Sequence, residues 1–231
     1  MSTTSTTAVF FDVDFTLIYP GPTFQGIGYQ RFCSRYGIDI DPSRFADAVL
    51  SASASLSEAQ GHIYDPEIFV GYTKRIIEGM GGRGARLDAC ANEIYREWAA
   101  CHHFSLYDDV MPALRELADR GLKVGLISNS HRCLATFERH FELQGLIAGA
   151  LSSSEHGFLK PHRSIFESAL TLLGVTARES VMVGDSMEHD IEGALGVGMR
   201  GVLVQRFAGP ASVGLPDVSV IRDLAELPAL L

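Results

Sequence analysis

Val9-Phe10-Phe11-Asp12-Val13-Asp14-Phe15-Thr16-Leu17-Ile18 is the stretch that decides the fold, because it sets two carboxylates and a hydroxyl into an apolar run. Residues 9–12 are short, β-branched or aromatic, and apolar on both faces, which predicts a buried strand of a parallel sheet. Side chains two apart on a strand point the same way, so a continuing strand would crowd Asp12 against Asp14. Such a pair is costly unless a cation or hydrogen-bond donors offset the repulsion, and we therefore expect a bound partner here.

Length and composition describe an ordinary globular protein of one or two domains. The chain has 231 residues, of which 46% are hydrophobic and 20% charged, with a formal net charge of −9. The acidic balance argues against a nucleic-acid surface. No run of about 18 apolar residues predicts a membrane span. Residues 1–7 carry no signal-peptide pattern, so we expect a disordered tail and a cytoplasmic protein.

Four cysteines are scattered without a C-x-x-C pair, which favours reduced thiols over a zinc ribbon or a disulfide framework. Cys101-His102-His103 lacks the spacing expected of a tetrahedral metal site. We expect Cys101 to lie on a buried helix face and the two histidines to mark the end of that helix.

Residues 21–104 show helical periodicity and almost no strand-like run, which predicts an all-helical insertion. Asp41-Pro42 and Asp65-Pro66 have the N-cap acid and first-turn proline of helix starts, whereas Gly37 and Gly79 occupy candidate C-cap positions. The predicted helices cover 25–36, 42–58, 66–79 and 85–102. The G-x-G-x-x-G pattern at 79–84 follows a helix instead of a strand, so we expect a helix–helix turn and no dinucleotide site.

After Asp108 helices and strands alternate, which predicts a parallel sheet with helices on both faces. The predicted helices cover 110–120, 134–141, 161–173 and 191–197, and the strands 123–127, 147–151, 180–183 and 201–204.

Polar residues follow several of these strands, where the carboxyl ends of parallel strands form a crevice. They are Asp12 and Asp14, Ser128 and Asn129, and Asp185 with Asp190 nearby, while Lys160-Pro161 precedes a predicted helix. Carboxylates suit Mg²⁺, and an ammonium beside a helix N-terminus suits phosphate. This set predicts phosphoryl transfer, with one aspartate as nucleophile and the other as acid/base.

Asp12-Val13-Asp14-Phe15-Thr16, Ser128-Asn129, Lys160-Pro161 and Gly184-Asp185-Ser186-Met187-Glu188-His189-Asp190 resemble the four ordered motifs of the haloacid-dehalogenase-like hydrolase superfamily. The resemblance implies an α/β, Rossmann-like three-layer core over 8–20 and 105–231, with a helical cap over 21–104 inserted after the first motif. It further implies a phosphatase-type, Mg²⁺-dependent enzyme that acts on a small phosphorylated metabolite through an aspartyl-phosphate.

By the same resemblance, Asp12 is the nucleophile and Asp14 is the acid/base whose backbone carbonyl also binds the metal. Lys160 neutralises charge, Ser128 with Asn129 holds the phosphoryl group, and Thr16 orients the loop. The implied catalytic residues are Asp12, Asp14 and Lys160; the phosphate-binding residues are Thr16, Ser128, Asn129 and Lys160; the metal ligands are Asp12, Asp14 and Asp185, with Asp190 in support. The chain departs from the family in having Phe15 where glycine is common.

Several other functions stay open from the sequence. A sugar-phosphate mutase would share every core residue, and a haloacid dehalogenase would need the nucleophile but no Mg²⁺. Phosphonate cleavage would need a Schiff-base lysine, for which Lys74 is the one candidate in the helical block. A signalling receiver domain or a catalytically silent scaffold is a further class. The substrate and the oligomeric state are not predicted.

Overall fold

A computed structural model of the chain describes residues 5–57, 62–206 and 218–231. The chain divides into two compact units, one formed by Met1–Tyr19 with Leu106–Leu231 and the other by Pro20–Ser105. Of the predicted disordered tail, residues 1–4 lie outside the described residues. Thr7 does not fit that prediction, because its amide donates a hydrogen bond to the carbonyl of Glu179 at 2.8 Å.

The first unit is built on six parallel strands, which confirms the predicted α/β class. The strands of the chain are β1 (Ala8–Phe11), β2 (Ile18–Pro20), β3 (Phe104–Leu106), β4 (Lys123–Ser128), β5 (Gly149–Ser152), β6 (Ser180–Gly184), β7 (Arg200–Val204) and β8 (Val218–Ile221). The sheet order is β5-β4-β1-β6-β7-β8, and β2 pairs with β3 separately. Strands β2 and β3 were not predicted because each has only three residues, and β8 was not predicted because only one of its four residues is buried.

Both faces of the central strand are covered. Phe10 joins Met182 and Phe166 in one apolar cluster, while the neighbouring side chains of Val9 and Phe11 are also fully buried. Side chains alternate between the faces of a strand, so this pattern requires packing on both sides. The burial explains why the opening stretch is apolar up to its first carboxylate.

The helices of the first unit follow the predicted alternation with shifted ends. They are α5 (Val110–Asp119), α6 (Leu134–His140), α7 (Ser153–His156), α8 (Arg163–Leu173) and α9 (Gly193–Gly196), and the second unit contains α1 (Gly26–Arg35), α2 (Phe45–Ser57), α3 (Pro66–Gly79) and α4 (Leu87–Trp98). Helix α8 begins at Arg163 and not at residue 161, because His162 is its N-cap and accepts the amide of Ser164. The predicted helix at 191–197 begins earlier, with a π-helical turn over Met187–Glu192.

Chain order places the ends of β1, β4 and β6 together. The chain runs from β1 outward through β4 and β5, and then returns to build β6, β7 and β8 on the other side of β1. Phe11 is level with Leu126 on β4 and with Val183 on β6. Residues just beyond these positions therefore meet at the topological switch point, where ligands bind in open α/β sheets.

The second unit is helical, and its predicted start signals are confirmed. The side chains of Asp41 and Asp65 accept hydrogen bonds from the amides two residues later, at 3.0 Å in each case. The predicted C-cap at Gly79 is wrong, since this glycine is the last residue of α3 and the left-handed residue that follows is Gly81 (φ 97°). The G-x-G-x-x-G segment connects α3 to α4, as expected of a helix–helix turn.

Cys101 was predicted to lie on the helix over 85–102, but the observed helix ends before it. Helix α4 ends at Trp98, and Cys101–His103 form a separate 3-10 turn in which Cys101 is buried. Within residues 5–57, 62–206 and 218–231, no helix is both long and apolar enough to cross a membrane.

Two glycines of α3 have opposite roles in packing. A Cβ added to Gly79 would lie 2.8 Å from the Cβ of Ala48 on α2, whereas a Cβ on Gly71 would meet no atom within 4 Å. Gly79 therefore permits the close approach of two helices, and Gly71 has no such constraint.

We expect Gly71→Ala to raise the free energy of unfolding by about 0.5–1 kcal/mol through helix propensity. Gly79→Ala is expected to lower it by about 1–3 kcal/mol, because the added methyl group overpacks the contact with α2. Urea unfolding followed by circular dichroism measures both variants. Equal effects of the two substitutions would contradict this account of the α2–α3 contact.

Candidate active site at the ends of β1, β4 and β6

A buried ammonium group lies at the centre of the site. Lys160 is 2% exposed, and its Nζ donates to Asp12 Oδ1 at 2.6 Å, Asp190 Oδ1 at 2.7 Å and the carbonyl of Ile127 at 2.8 Å. An ammonium has three donors, and here each has an oxygen partner. Lys160 thus connects the end of β1, the end of β4 and the π-helical turn after β6.

The backbone of Lys160 is fixed by Asn129. The amide of Lys160 donates to Asn129 Oδ1 at 2.7 Å, and Asn129 Nδ2 donates to the carbonyl of Lys160 at 3.0 Å. The sequence suggested a contact between Asn129 and phosphate, whereas the structure shows its side-chain amide bound to the lysine backbone. Asn129 therefore holds the loop that places the ammonium.

Asp190 is held in place from both sides. Its Oδ1 accepts from Lys160, and its Oδ2 accepts the amide of Ser186 at 3.0 Å. A Cβ on Gly184, the last residue of β6, would collide with the Asp190 carboxylate. The glycine before Asp185 is therefore required for the close approach of the buried acid to the strand.

Three carboxylates converge around this ammonium. Oxygen atoms of Asp12, Asp185 and Asp190 lie within 4.8 Å of one another, and the Thr16 hydroxyl donates to Asp185 Oδ1 at 3.4 Å. Three carboxylates and one ammonium leave a charge of −2 when all are ionised. Clustered oxygen ligands with that charge fit a hard divalent cation such as Mg²⁺.

The shifted pKa values of the clustered groups agree with a site for a cation. Burial raises the pKa of Asp12 well above its ordinary value, although Lys160 opposes the rise. Burial and then the nearby Asp190 raise the pKa of Asp185 to about 7. Burial also acts to lower the pKa of Lys160, but Asp12 and Asp190 outweigh it and the pKa of the ammonium is raised. Positive charge is therefore favoured in this cluster.

Asp14 lies outside the three-carboxylate cluster. Arg132 Nη1 donates to Asp14 Oδ1 at 3.0 Å and to Oδ2 at 3.1 Å, and the arginine is only 1% exposed. Strand β1 ends at Phe11 and Asp14 forms an isolated bridge with Ile18, so the two aspartates do not lie on one continuing strand. The two carboxylates have separate cationic partners.

Ser128 and Thr16 are both fully buried. The Ser128 hydroxyl donates to Ser130 Oγ at 3.0 Å. The carbonyl of Thr16 accepts from Arg206 Nε at 3.1 Å and Nη2 at 2.6 Å, while Arg206 Nη1 donates to Asp109 Oδ2 at 2.9 Å. Arg206 thus fixes the turn that follows Asp14.

Sequence reasoning missed Arg132 and Arg206. Arg132 follows Asn129 by three residues, and this position in the loop after β4 could have identified it as a candidate site residue. Arg206 follows β7 in the same way. Neither position distinguishes a solvated arginine from a buried one, because burial depends on distant contacts. Arg132 contacts Asp14, 118 positions away, and Arg206 contacts Thr16, 190 positions away.

Phe15 has an unusual backbone conformation. Its φ is 65°, in the left-handed region, and its side chain is 43% exposed although it is large and apolar. This conformation explains why glycine suits the position in the related motif. This chain adopts the left-handed conformation with a phenylalanine, whose Cβ makes that conformation energetically unfavourable.

The helical unit contains a second group of possible metal ligands. Ligand atoms of Glu97, His102 and His103 lie within 4.8 Å of one another, and His103 Nε2 is 3.0 Å from Glu97 Oε2. Glu97 on α4 thus approaches both histidines, which the spacing within Cys101-His102-His103 does not show.

An α/β sheet with clustered carboxylates and a buried lysine at its switch point defines a class of hydrolases, and comparisons with known proteins agree. The family model described as haloacid dehalogenase-like hydrolase matches residues 6–198. The chain therefore belongs to the haloacid dehalogenase-like hydrolases, which confirms the family that its motifs resemble.

Individual relatives cover most of the chain. It is 33% identical over 204 residues to the ribulose-1,5-bisphosphate 5-phosphatase of Halopiger xanaduensis, with 85% of this chain and 84% of the relative covered. It is 30% identical over 237 residues to the N-acylneuraminate-9-phosphatase of Rattus norvegicus, with 97% and 93% covered. The crystal structure of a HAD phosphatase from Thermococcus onnurineus superposes with a TM-score of 0.67 at 25% identity and covers 96% of each chain.

Substitutions at Phe15 separate backbone strain from the effect of the ring. Phe15→Gly and Phe15→Ala both remove the ring, but only alanine keeps a Cβ at a positive φ. We expect the glycine variant to be more stable than the alanine variant by about 1 kcal/mol in urea unfolding. An alanine variant as stable as the glycine variant would show that the turn carries no such strain.

The raised pKa of Asp185 predicts a pH-dependent stability when no divalent cation is added. The folded-state pKa of about 7 exceeds the ordinary value of 3.8, so the folded state binds the proton more tightly. Stability should therefore fall as pH rises from about 4 to about 7. Asp185 borders the buried carboxylates but is itself accessible to water, which screens the repulsion, so the change is expected to be about 1 kcal/mol or less.

Asp185→Asn is expected to remove this part of the pH dependence and to reduce the stabilisation by added Mg²⁺. Thermal unfolding between pH 5 and pH 8, with and without MgCl₂, measures both effects. Glu192→Gln is the matched control, since Glu192 is an exposed acid on the adjacent turn. Unchanged pH and Mg²⁺ responses in Asp185→Asn would contradict the assignment of Asp185 to the cluster's cation site.

Proposed function

We propose that the protein is a Mg²⁺-dependent phosphatase that hydrolyses a small phosphorylated metabolite through an aspartyl-phosphate on Asp12. The observation that carries this proposal is the 2.6 Å contact between Asp12 and the buried ammonium of Lys160, within a carboxylate cluster of net charge −2. A nucleophile, a neutralising cation and a site for a divalent ion are together what phosphoryl transfer needs.

In the first step, Asp12 attacks phosphorus and the bond to the leaving oxygen breaks. Lys160 lies beside the attacking carboxylate and neutralises charge that develops there. When bound, Mg²⁺ would supply positive charge toward the phosphoryl oxygens, with Asp12, the Asp14 carbonyl and Asp185 as its protein ligands. Ser128, at the end of β4, would hold the phosphoryl group, and Thr16 contacts Asp185 through its hydroxyl.

Asp14 is the proposed acid/base. It would protonate the leaving oxygen in the first step and then take a proton from the water that splits the aspartyl-phosphate. Its separate location, paired with Arg132 and outside the three-carboxylate cluster, fits a group that exchanges protons instead of binding the cation through its side chain.

The relatives support phosphate chemistry. Two proteins that match most of this chain are named as phosphatases, one for ribulose-1,5-bisphosphate and one for an N-acylneuraminate phosphate. We therefore propose a phosphate monoester of a small metabolite as the substrate class. We further propose a cytoplasmic location, where Cys33 and Cys90, whose Sγ atoms lie 3.8 Å apart, would stay reduced.

The alternatives receive less support from the site. A dehalogenase has no developing phosphate charge to offset, so it would not need the −2 cluster. A Schiff-base role for Lys74 is disfavoured, because its ammonium contacts Asp88 at 2.6 Å on the surface of the helical unit. A mutase shares the core residues and is distinguished by transfer of phosphate to a sugar instead of to water.

Hydrolysis of p-nitrophenyl phosphate tests the proposal. We expect release of p-nitrophenol with MgCl₂, loss of that release with EDTA, and a loss of at least about 1,000-fold in Asp12→Asn. This variant should fold, because Lys160 keeps its contacts with Asp190 and the Ile127 carbonyl. Asp108→Asn is the matched control, since Asp108 is an exposed acid in the same unit.

If the wild type releases no phosphate from p-nitrophenyl phosphate or from a panel of metabolite phosphates, the proposal is wrong. Near wild-type turnover by Asp12→Asn would exclude Asp12 as the nucleophile.

A further inference from the structure

Arg132 is a buried charge that contacts the proposed acid/base. It is 1% exposed, and Nη1 contacts both carboxylate oxygens of Asp14 at 3.0 and 3.1 Å. Removing a guanidinium from water costs several kcal/mol unless an anion compensates it. The position is therefore an expensive place for an arginine that served only to fill space.

The pairing divides the site into two electrostatic groups. Asp12 and Asp190 contact the ammonium of Lys160, and together with the neighbouring Asp185 the group keeps a charge of −2 when all are ionised. Asp14 and Arg132 form a neutral pair beside them. The Arg132 guanidinium thus offsets the charge of the Asp14 carboxylate, which would otherwise add to the repulsion among its acidic neighbours.

The loop that carries Arg132 is itself fixed to the site. Ser130 accepts the hydroxyl of Ser128 at the end of β4, and its carbonyl accepts the amide of Ser154 at 3.3 Å and the hydroxyl of Ser153 at 3.4 Å. Arg132 follows two residues later. Its guanidinium is therefore positioned by the same segment that presents Ser128.

We propose that Arg132 is a positioning residue for proton transfer, because it holds the Asp14 carboxylate in the orientation from which it protonates the leaving oxygen. The inference rests on the proposed function of Asp14 as acid/base. Arg132 acts through Asp14 and needs no contact with the substrate.

This role has a consequence that a purely structural role lacks. A good leaving group such as p-nitrophenolate departs without a proton, whereas a poor one such as p-methoxyphenolate needs general-acid help. Loss of Arg132 should therefore slow the hydrolysis of p-methoxyphenyl phosphate far more than that of p-nitrophenyl phosphate. A general loss of folded enzyme would slow both substrates by the same factor.

The experiment compares kcat/KM for p-nitrophenyl, phenyl and p-methoxyphenyl phosphate in the full chain with MgCl₂. The variants are Arg132→Met, Arg132→Lys, Asp14→Asn and the double variant Asp14→Asn with Arg132→Met. We expect Arg132→Met to lose about 100-fold on p-methoxyphenyl phosphate and less than about fivefold on p-nitrophenyl phosphate. Arg132→Lys keeps the charge on a shorter donor and should show the same selectivity with a loss of about tenfold.

The double variant tests whether the two residues act as a unit. If Arg132 acts only through Asp14, removing it from Asp14→Asn should cost less than about threefold further on p-methoxyphenyl phosphate. Losses that multiply, or equal losses on all three substrates, would overturn the proposal. If Arg132→Met does not unfold cooperatively with urea, it is not a folded enzyme. The proposal is then tested by whether Arg132→Lys loses more activity on p-methoxyphenyl phosphate than on p-nitrophenyl phosphate.

Failure of the proposed function gives a different result. Wild-type enzyme that cleaves none of the three aryl phosphates overturns both the phosphatase activity and this inference. Wild-type activity that Asp12→Asn abolishes, combined with unselective loss in both Arg132 variants, overturns the inference alone.

Discussion

The buried ammonium of Lys160 is the interaction on which the site depends. A charge 2% exposed is tolerated only with full compensation, and Lys160 obtains it from two carboxylates and one carbonyl. Those oxygens belong to three separate segments, so the ammonium requires the ends of β1 and β4 and the turn after β6 to meet. The neighbouring residues serve this requirement: Asn129 fixes the lysine backbone, and Gly184 leaves room for Asp190.

Charge in the site is unevenly distributed between two groups, one around Lys160 and the other formed by Asp14 and Arg132. The group around Lys160 keeps an excess of negative charge, which suits a nucleophile beside a divalent cation. The Asp14–Arg132 pair is neutral when both groups are ionised, so it adds no net charge to the site. Uncompensated like charges at short range lower stability, so a protein that keeps them does so for a ligand that offsets them.

The turn between the two aspartates shows a similar conflict between local stability and function. Phe15 adopts a positive φ, and Arg206 binds the carbonyl of Thr16 through two nitrogen atoms. Local preference alone would not keep a phenylalanine in the left-handed region. The tertiary contacts of the turn therefore maintain a conformation that the sequence at this point disfavours, as is common at functional sites.

The sequence by itself determined the α/β class, the helical insertion and the set of polar residues at the strand ends. Apolar runs, cap residues and ordered motifs are local patterns, so they can be recognised in the sequence without knowledge of the tertiary contacts. Only the tertiary structure decided which carboxylate meets which cation. Strand β1 ends at Phe11, and the side chain of Asp14 pairs with Arg132, 118 residues away, whereas Asp12 pairs with Lys160. Periodicity cannot separate a buried arginine from a solvated one, because desolvation and ion pairing depend on residues that are distant in the chain and adjacent only after folding.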